Sequence, residues 1–240
     1  MDPSPPAVDG LARRLGAVGW VTEVWVGGSL ANGDFVPGVS DLDLVALVDG
    51  EITTSRRESL AALHSDLDAG VAAGTDLGCV YVDSERLLDR LALHPTWTHG
   101  SMLDRILSGI SRAELVRHGY AVLGRPPADV LPPMTDDDVR EAARSEVCGY
   151  WACAARRPQM WLSPVIADLG LTAMARGRHA LATGQLLTKS DAIEQAAAPS
   201  WLRDQLRARR RGEAATSPRF RTAWIAWRDA RRTVAAARAR

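Results

Sequence analysis

The sequence predicts an α/β (α+β) N-terminal domain with a mixed sheet, followed by an all-α helical bundle domain. Three observations predict it. Apolar runs of strand length alternate with helix-period segments as far as residue 123. A Pro-rich run, Gly124 to Pro133 (GRPPADVLPP), then breaks the pattern. Everything beyond that run has helical spacing and no strand-like alternation. The domains expected are therefore 1–133 and 134–240.

Leu11 to Val18 reads as a short amphipathic helix. Val21 to Val26 (VTEVWV) is β-branched and aromatic, and stops at Gly27-Gly28, which marks a strand. Ser29 to Gly33 opens like the first turn of a helix, and Asp34 to Ser40 is a loop with Pro37 and Gly38. Leu42 to Val48 (LDLVALV) is the second strand, Glu51 to Ala69 a helix, and Leu77 to Val82 (LGCVYV) the third strand. Asp83 to Tyr120 reads as loops and short helices, with Ala121 to Leu123 a further short strand. Past the Pro-rich run, Thr135 and Asp138 have the spacing of a capping pair for a helix to about Arg157. Pro164 to Thr183 is a helix stopped by Gly184; Thr188 to Ala198 starts on another Thr-x-x-Asp pair. Trp201 to Arg211 and Pro218 to Ala237 complete the bundle.

Composition narrows the functional classes. Hydrophobic residues make up 46% and charged residues 24%, a globular balance. No run reaches the ~20 apolar residues of a membrane helix, and Met1 to Gly10 lacks the order of a signal peptide. A cytoplasmic protein with no membrane partner is the expectation. Net charge is zero, which argues against a polymeric nucleic acid. The charge is uneven, however: Arg203 to Arg240 is Arg-rich, with Arg207, Arg209, Arg210 and Arg211 close together. A solvated helix face is the first reading of that run, and contact with phosphate or RNA the second. Cys79, Cys148 and Cys153 are odd in number and lack zinc spacing, so buried free thiols are expected. His94 and His99 flank Trp97 as structural or acceptor-side groups rather than a metal site. Of 29 basic residues only Lys189 is lysine, a compact charge suited to phosphate.

The segment that carries chemistry is Gly27 to Leu44, GGSLANGDFVPGVSDLDL. A Gly-Gly-Ser turn leaves a strand and enters a helix, so its backbone can approach an anion and its N–H groups face outward. Gly28 and Ser29 are the candidate phosphate contacts, with Ser40 in support. Asp41 and Asp43 stand two apart at the start of an apolar strand, which puts both carboxylates on one face and Leu42 and Leu44 on the other. Crowded carboxylates repel, and a hard divalent cation such as Mg²⁺ relieves them while bridging to phosphate. Asp41 and Asp43 are the candidate metal ligands.

This combination, Gly28-Ser29 then Asp41-Leu42-Asp43, resembles the nucleotidyltransferase superfamily with a polymerase-β-type core. The helical half is similar to that of the streptomycin/spectinomycin (aminoglycoside) adenylyltransferases: Leu171-Thr172, Arg176, Thr183-Gly184 and Lys189 match an L-T-x-x-R, T-G-x-I, Lys pattern. The resemblance implies that Arg176 and Lys189 reach the triphosphate of a nucleotide. It implies Mg²⁺-dependent transfer of a nucleoside monophosphate, AMP from ATP, to a hydroxyl of a small acceptor of the aminoglycoside type. The family also uses a third carboxylate, a Glu proposed as general base on a neighbouring strand. Its position here is Gly78. Asp76, two residues earlier on the same strand face, is the expected replacement; Asp83 has the wrong parity, and Glu146 is another candidate. Cationic acceptors need acidic or aromatic contacts, for which Glu146, Trp151, Trp161 and Asp168 are available. Two other readings stay open: an adenylyltransferase for a different small molecule or a protein, and a nucleotide-binding pseudoenzyme disarmed at Gly78.

Overall fold

The computed structural model describes residues 4–239. Residues 1–3, at the head of the segment judged for a signal peptide, and Arg240, the last of the Arg-rich run, lie outside the described residues. The chain divides between Pro133 and Met134 into two compact units.

The first unit is a six-stranded sheet in the order β5-β4-β3-β2-β1-β6. Its strands are β1 (Val21–Val26), β2 (Leu42–Val48), β3 (Leu77–Asp83), β4 (Leu93–Thr98), β5 (Ser101–Ile106) and β6 (Tyr120–Leu123). β2 and β3 run parallel and the other neighbours antiparallel, so the sheet is mixed, as the alternating pattern predicts. Among the described residues five α-helices accompany it, α1 (Pro6–Gly16), α2 (Gly28–Ala31), α3 (Thr54–Asp68), α4 (Gly109–His118) and α5 (Pro127–Val130), with a 3₁₀ turn at Ser84–Arg86. α1 starts five residues before the expected Leu11, with Pro6 at its first position, where a missing N–H costs nothing. α3 starts three residues later than expected because the Thr53 side chain caps it by accepting from the Arg56 N–H.

Strand β2 explains the two-layer core. Leu42, Leu44, Ala46 and Val48 join Leu11, Leu15, Leu60 and Leu67 in one buried cluster. Val45 and Leu47 join Trp25, Val82, Leu87, Leu115 and Leu131 in another. The period of two sends alternate residues to opposite faces, so β2 is buried on both sides along its length. Only Asp43 breaks the burial, with an exposed side chain.

One expectation is corrected here. The sequence predicts loops and short helices for residues 83–120, yet they hold the β4–β5 hairpin. Its two-residue turn is His99-Gly100, with φ of 47° and 72°. Both residues take the left-handed region that a tight hairpin of this twist requires, and His is among the residues that tolerate it. The Pro-rich run is likewise not a loose linker: it folds into α5, with Pro127 and Leu131 buried. Trp25 Nε1 donates to the Arg125 carbonyl at 2.8 Å, and Arg125 pairs with the buried Glu23 at 3.1 Å.

The second unit is all helix: α6 (Asp136–Glu146), a π-helical turn (Val147–Trp151), α7 (Ala152–Ala155), a 3₁₀ turn (Pro158–Leu162), α8 (Pro164–Thr183), α9 (Lys189–Glu194), α10 (Ser200–Arg210) and α11 (Arg219–Arg238). Thr135 and Asp138 form the capping box that the sequence predicts. α8 ends at Gly184, whose φ of 74° requires glycine. Gly170 lets the Trp161 ring pack close: a Cβ there would approach Trp161 Cη2 to 2.8 Å. The core gathers Trp151, Trp161, Leu171, Met174, Leu202, Ala226 and Val234. α9 stops four residues short of the expected Ala198, giving way to a turn before Pro199.

Among the described residues no helix is long and apolar enough to cross a membrane. All three cysteines are free. Cys79 is buried, and burial pushes its thiol up to about 12. Cys153 is exposed, which corrects the expectation that all three are buried.

Candidate active site

The site begins where β1 ends. Val26 pairs with Leu44, and the next N–H, at Gly27, donates to the Asp43 carbonyl at 2.8 Å. The glycine turn is thus zipped to the backbone of the D-x-D segment. Gly28 has φ of 57°, a conformation that glycine holds without strain. A Cβ at Gly28 would overlap the Asp43 carboxylate, coming within 2.9 Å of its Cγ. Gly28 therefore serves a close approach as well as a turn. On the other side, a Cβ at Gly27 would lie 3.3 Å from Leu115 Cδ2 on α4. Sequence spacing carries no sign of that support from Leu115.

The turn is equipped for an anion. Helical pairing in α2 begins with the Ala31 N–H on the Gly27 carbonyl at 3.3 Å, so the N–H groups of Gly28, Ser29 and Leu30 stand outside it. Ser29 is 6% exposed, and its Oγ is buried without a hydrogen-bond partner among the described residues. A buried hydroxyl left unpaired costs about 1–3 kcal/mol, and a ligand oxygen supplied there recovers it. Ser40 is also 6% exposed; its Oγ accepts from the Val36 N–H at 3.0 Å, shaping the loop that delivers Asp41.

Asp41 is half-buried just ahead of β2, and Asp43 is its second residue. Among the described residues no group of three or more His, Cys, Asp or Glu side chains could hold a metal. Two carboxylates nonetheless fit magnesium, which keeps waters and takes its remaining oxygens from substrate phosphates. The unpaired Ser29 Oγ and the Asp43 carboxylate packed against Gly28 bring a hydroxyl and a carboxylate to the same turn.

The third acid is missing from the expected place. β3 lies parallel to β2 with Asp43 opposite Gly78, so a residue at 78 is the nearest cross-strand neighbour of Asp43. Asp76 precedes β3, its carbonyl accepting from the Leu42 N–H at 2.8 Å. Its carboxylate lies 3.4 Å from His99 Nδ1 in the hairpin turn, both side chains well exposed.

In the helical unit, Arg176 on α8 donates through Nε to the Leu187 carbonyl at 2.9 Å, tying α8 to the segment that leads to Lys189. Lys189 is the first residue of α9, capped by Thr188. Glu146 ends α6 with an exposed side chain, next to the π-helical turn. Two acceptor candidates are used differently. Trp161 is 1% exposed and donates to the Ala154 carbonyl at 3.0 Å. Trp151 is 3% exposed in the same core. Asp168 receives Nε and Nη2 of Arg209 at 2.6 and 3.0 Å. Burial raises its pKa from the usual carboxylate range while Arg209 opposes the shift. Trp161 is thus part of the core, and Asp168 part of an ion pair with Arg209.

A cavity of about 400 Å³ lies at the far end of the same strands, lined by Thr22, Glu23, Leu47, Asp49, Arg125 and their neighbours. It includes no residue of the glycine turn or of the D-x-D segment.

Residues 8–72 match the family model of the nucleotidyltransferase domain. That span contains both the glycine turn and the paired aspartates. No curated protein matches the chain by sequence. Among solved structures, the chain is similar to spectinomycin adenyltransferase AAD(9) from Enterococcus faecialis, a structure with ATP and spectinomycin. The TM-score is 0.70 at 13% identity, covering 95% of this chain and 98% of that one. Residues 8–72 are thus similar to a nucleotidyltransferase domain, and the fold of the chain resembles that of the spectinomycin adenyltransferase.

Proposed function

We propose that this protein transfers the adenylyl group of ATP to a hydroxyl of a small acceptor of the aminoglycoside class, with Mg²⁺. The observation that carries the proposal is the apposition of Gly28 and Asp43, with the unpartnered Ser29 Oγ beside them. Ser29 and the turn N–H groups hold phosphate oxygens. Asp41 and Asp43 would hold the cation, which would offset the charge of the triphosphate. Asp76 accepts the proton of the acceptor hydroxyl, whose oxygen attacks the α-phosphorus as the bond to pyrophosphate breaks. By the family resemblance alone, Arg176 and Lys189 would neutralise the leaving pyrophosphate. The structure with ATP and spectinomycin supports the substrate classes through fold likeness.

A second reading has one observation in its favour: Gly78, opposite Asp43, brings no carboxylate. On that reading the chain binds nucleotide and transfers nothing. The decisive experiment incubates the protein with α-labelled ATP, Mg²⁺ and spectinomycin, streptomycin or kanamycin. Labelled antibiotic is expected. Unlabelled acceptors together with measurable Mg²⁺–ATP binding would establish the second reading.

Two variants sharpen this. Gly28→Ala is expected to displace the Asp43 carboxylate and slow transfer by about 10²-fold, the cost of a misplacement near 1 Å; an unchanged rate removes the close approach from the mechanism. At Gly78 a Cβ has room, with Leu42 O at 3.5 Å and Trp97 O at 3.7 Å as nearest neighbours. Gly78→Glu is expected to make Asp76 dispensable: Asp76→Asn alone slows transfer by about 10²-fold or more, and the double variant recovers most of it. A loss below tenfold in Asp76→Asn places the base elsewhere.

A further inference from the structure

Helix α11 buries one side only. Ala223, Ala226, Ala230, Val234 and Ala237 pack into the bundle core. The opposite side carries two large rings into solvent, Phe220 at 76% and Trp224 at 57% exposure. On a helix, positions 220, 224, 228 and 231 form one stripe. Arg228 and Arg231 continue it beyond the rings, and Arg221 and Arg232 flank it, all four exposed. The cations already sit over π faces: Arg231 lies 5.0 Å from the Trp227 ring centre, and Arg221 4.9 Å from that of Trp201 on α10. Trp224 and Trp227 are 5.2 Å apart. The one acid of the helix, Asp229, is 6% exposed and turned inward to Arg178 at 2.7 Å. The outer face is therefore aromatic and cationic, with no carboxylate of its own.

We propose that this outer face binds single-stranded nucleic acid, with bases stacked on Phe220 and Trp224 and phosphates held by Arg221, Arg228, Arg231 and Arg232. Charge complementarity selects the occupant. Residues 201–240 hold twelve arginines against three acidic residues, although the whole chain is neutral. The zero net charge averages over this segregation, and a local patch sets the local field. Guanidinium groups match phosphate geometry, and exposed rings give bases a sequence-tolerant platform. A duplex has no base faces to offer those rings. A membrane-surface helix needs a broad apolar face, and α11 turns Ala223, Ala226, Ala230, Val234 and Ala237 into the bundle core. The proposal rests on α10 and α11 and not on the transfer reaction.

The test is fluorescence anisotropy of a fluorescein-labelled oligouridylate titrated with the full chain over a series of NaCl concentrations. Saturable binding is expected, falling with salt at a log–log slope of about −2 to −3, as three or four neutralised phosphates require. Phe220→Ala with Trp224→Ala is expected to weaken it by about tenfold or more, with the melting curve unchanged because both rings are exposed. Arg228→Gln with Arg231→Gln is expected to flatten the salt slope by about 1 unit or more. Absence of saturable binding at low salt overturns the proposal. So does equal affinity for a blunt duplex with no effect of ring removal, and so does capture by phosphatidylserine vesicles without oligouridylate binding.

Discussion

On the proposed mechanism, in which Asp43 holds the cation, Asp43→Asn should reduce adenylyl transfer by about 10³-fold or more, because a metal ligand at the reacting phosphate contributes several kcal/mol to the barrier. The fold should survive. Asp43 is exposed at the head of β2, and the asparagine keeps the backbone carbonyl that receives the Gly27 N–H at 2.8 Å. The thermal midpoint should therefore change little. The two effects together separate a ligand from a structural residue. The measurements are initial rates with α-labelled ATP at several Mg²⁺ concentrations and a melting curve for each protein. Full activity in the variant would remove the cation from the paired aspartates.

Acid should destabilise the first unit through His64. The ring is 0% exposed, stacked on Trp97 with centroids 5.1 Å apart, and bonded through Nε2 to the Tyr81 hydroxyl at 2.7 Å. Its Nδ1 is buried without a partner among the described residues. Burial pushes its pKa down from 6.5 to about 3. The unfolded chain therefore takes up a proton that the folded chain refuses. Stability is whole above pH 6.5 and falls as pH drops toward 3, by ~1.4 kcal/mol per pH unit and on the order of 5 kcal/mol in total. Urea unfolding between neutral and acid pH measures the slope. In His64→Gln, whose amide keeps a partner for Tyr81, the slope should lose one proton's worth. Parallel pH profiles for the two proteins would show that His64 does not carry the effect.

The legible parts of the fold were those with local signals. β1, β2 and β3 are apolar runs ended by glycine or aspartate, and the capping pair at Thr135 and Asp138 needs only four residues to be read. The β4–β5 hairpin was hidden because Pro95 sits inside one strand and its turn is His99-Gly100 rather than Asn-Gly. The π-helical turn at Val147–Trp151 left no mark either, since one extra residue barely alters helical spacing. The site divides the same way. The glycine turn and paired aspartates lie within eighteen consecutive residues, 27–44. Whether Trp161 and Asp168 face a ligand or a neighbour depends on Ala154 and Arg209, seven and forty-one residues away. Tertiary packing decided both.

The double-sided burial of β2 restricts how this chain can evolve. Residues 33–39 form an exposed or half-buried loop whose length can drift. The phase of β2 itself cannot. Sliding the strand by a single position against its neighbours would exchange every inward and outward side chain. It would drive a carboxylate into the layer formed with Leu11 and Leu60 and turn Leu42 toward the glycine turn. Insertions upstream are therefore tolerable only where the loop absorbs them whole, so that chemistry and core inherit the same frame.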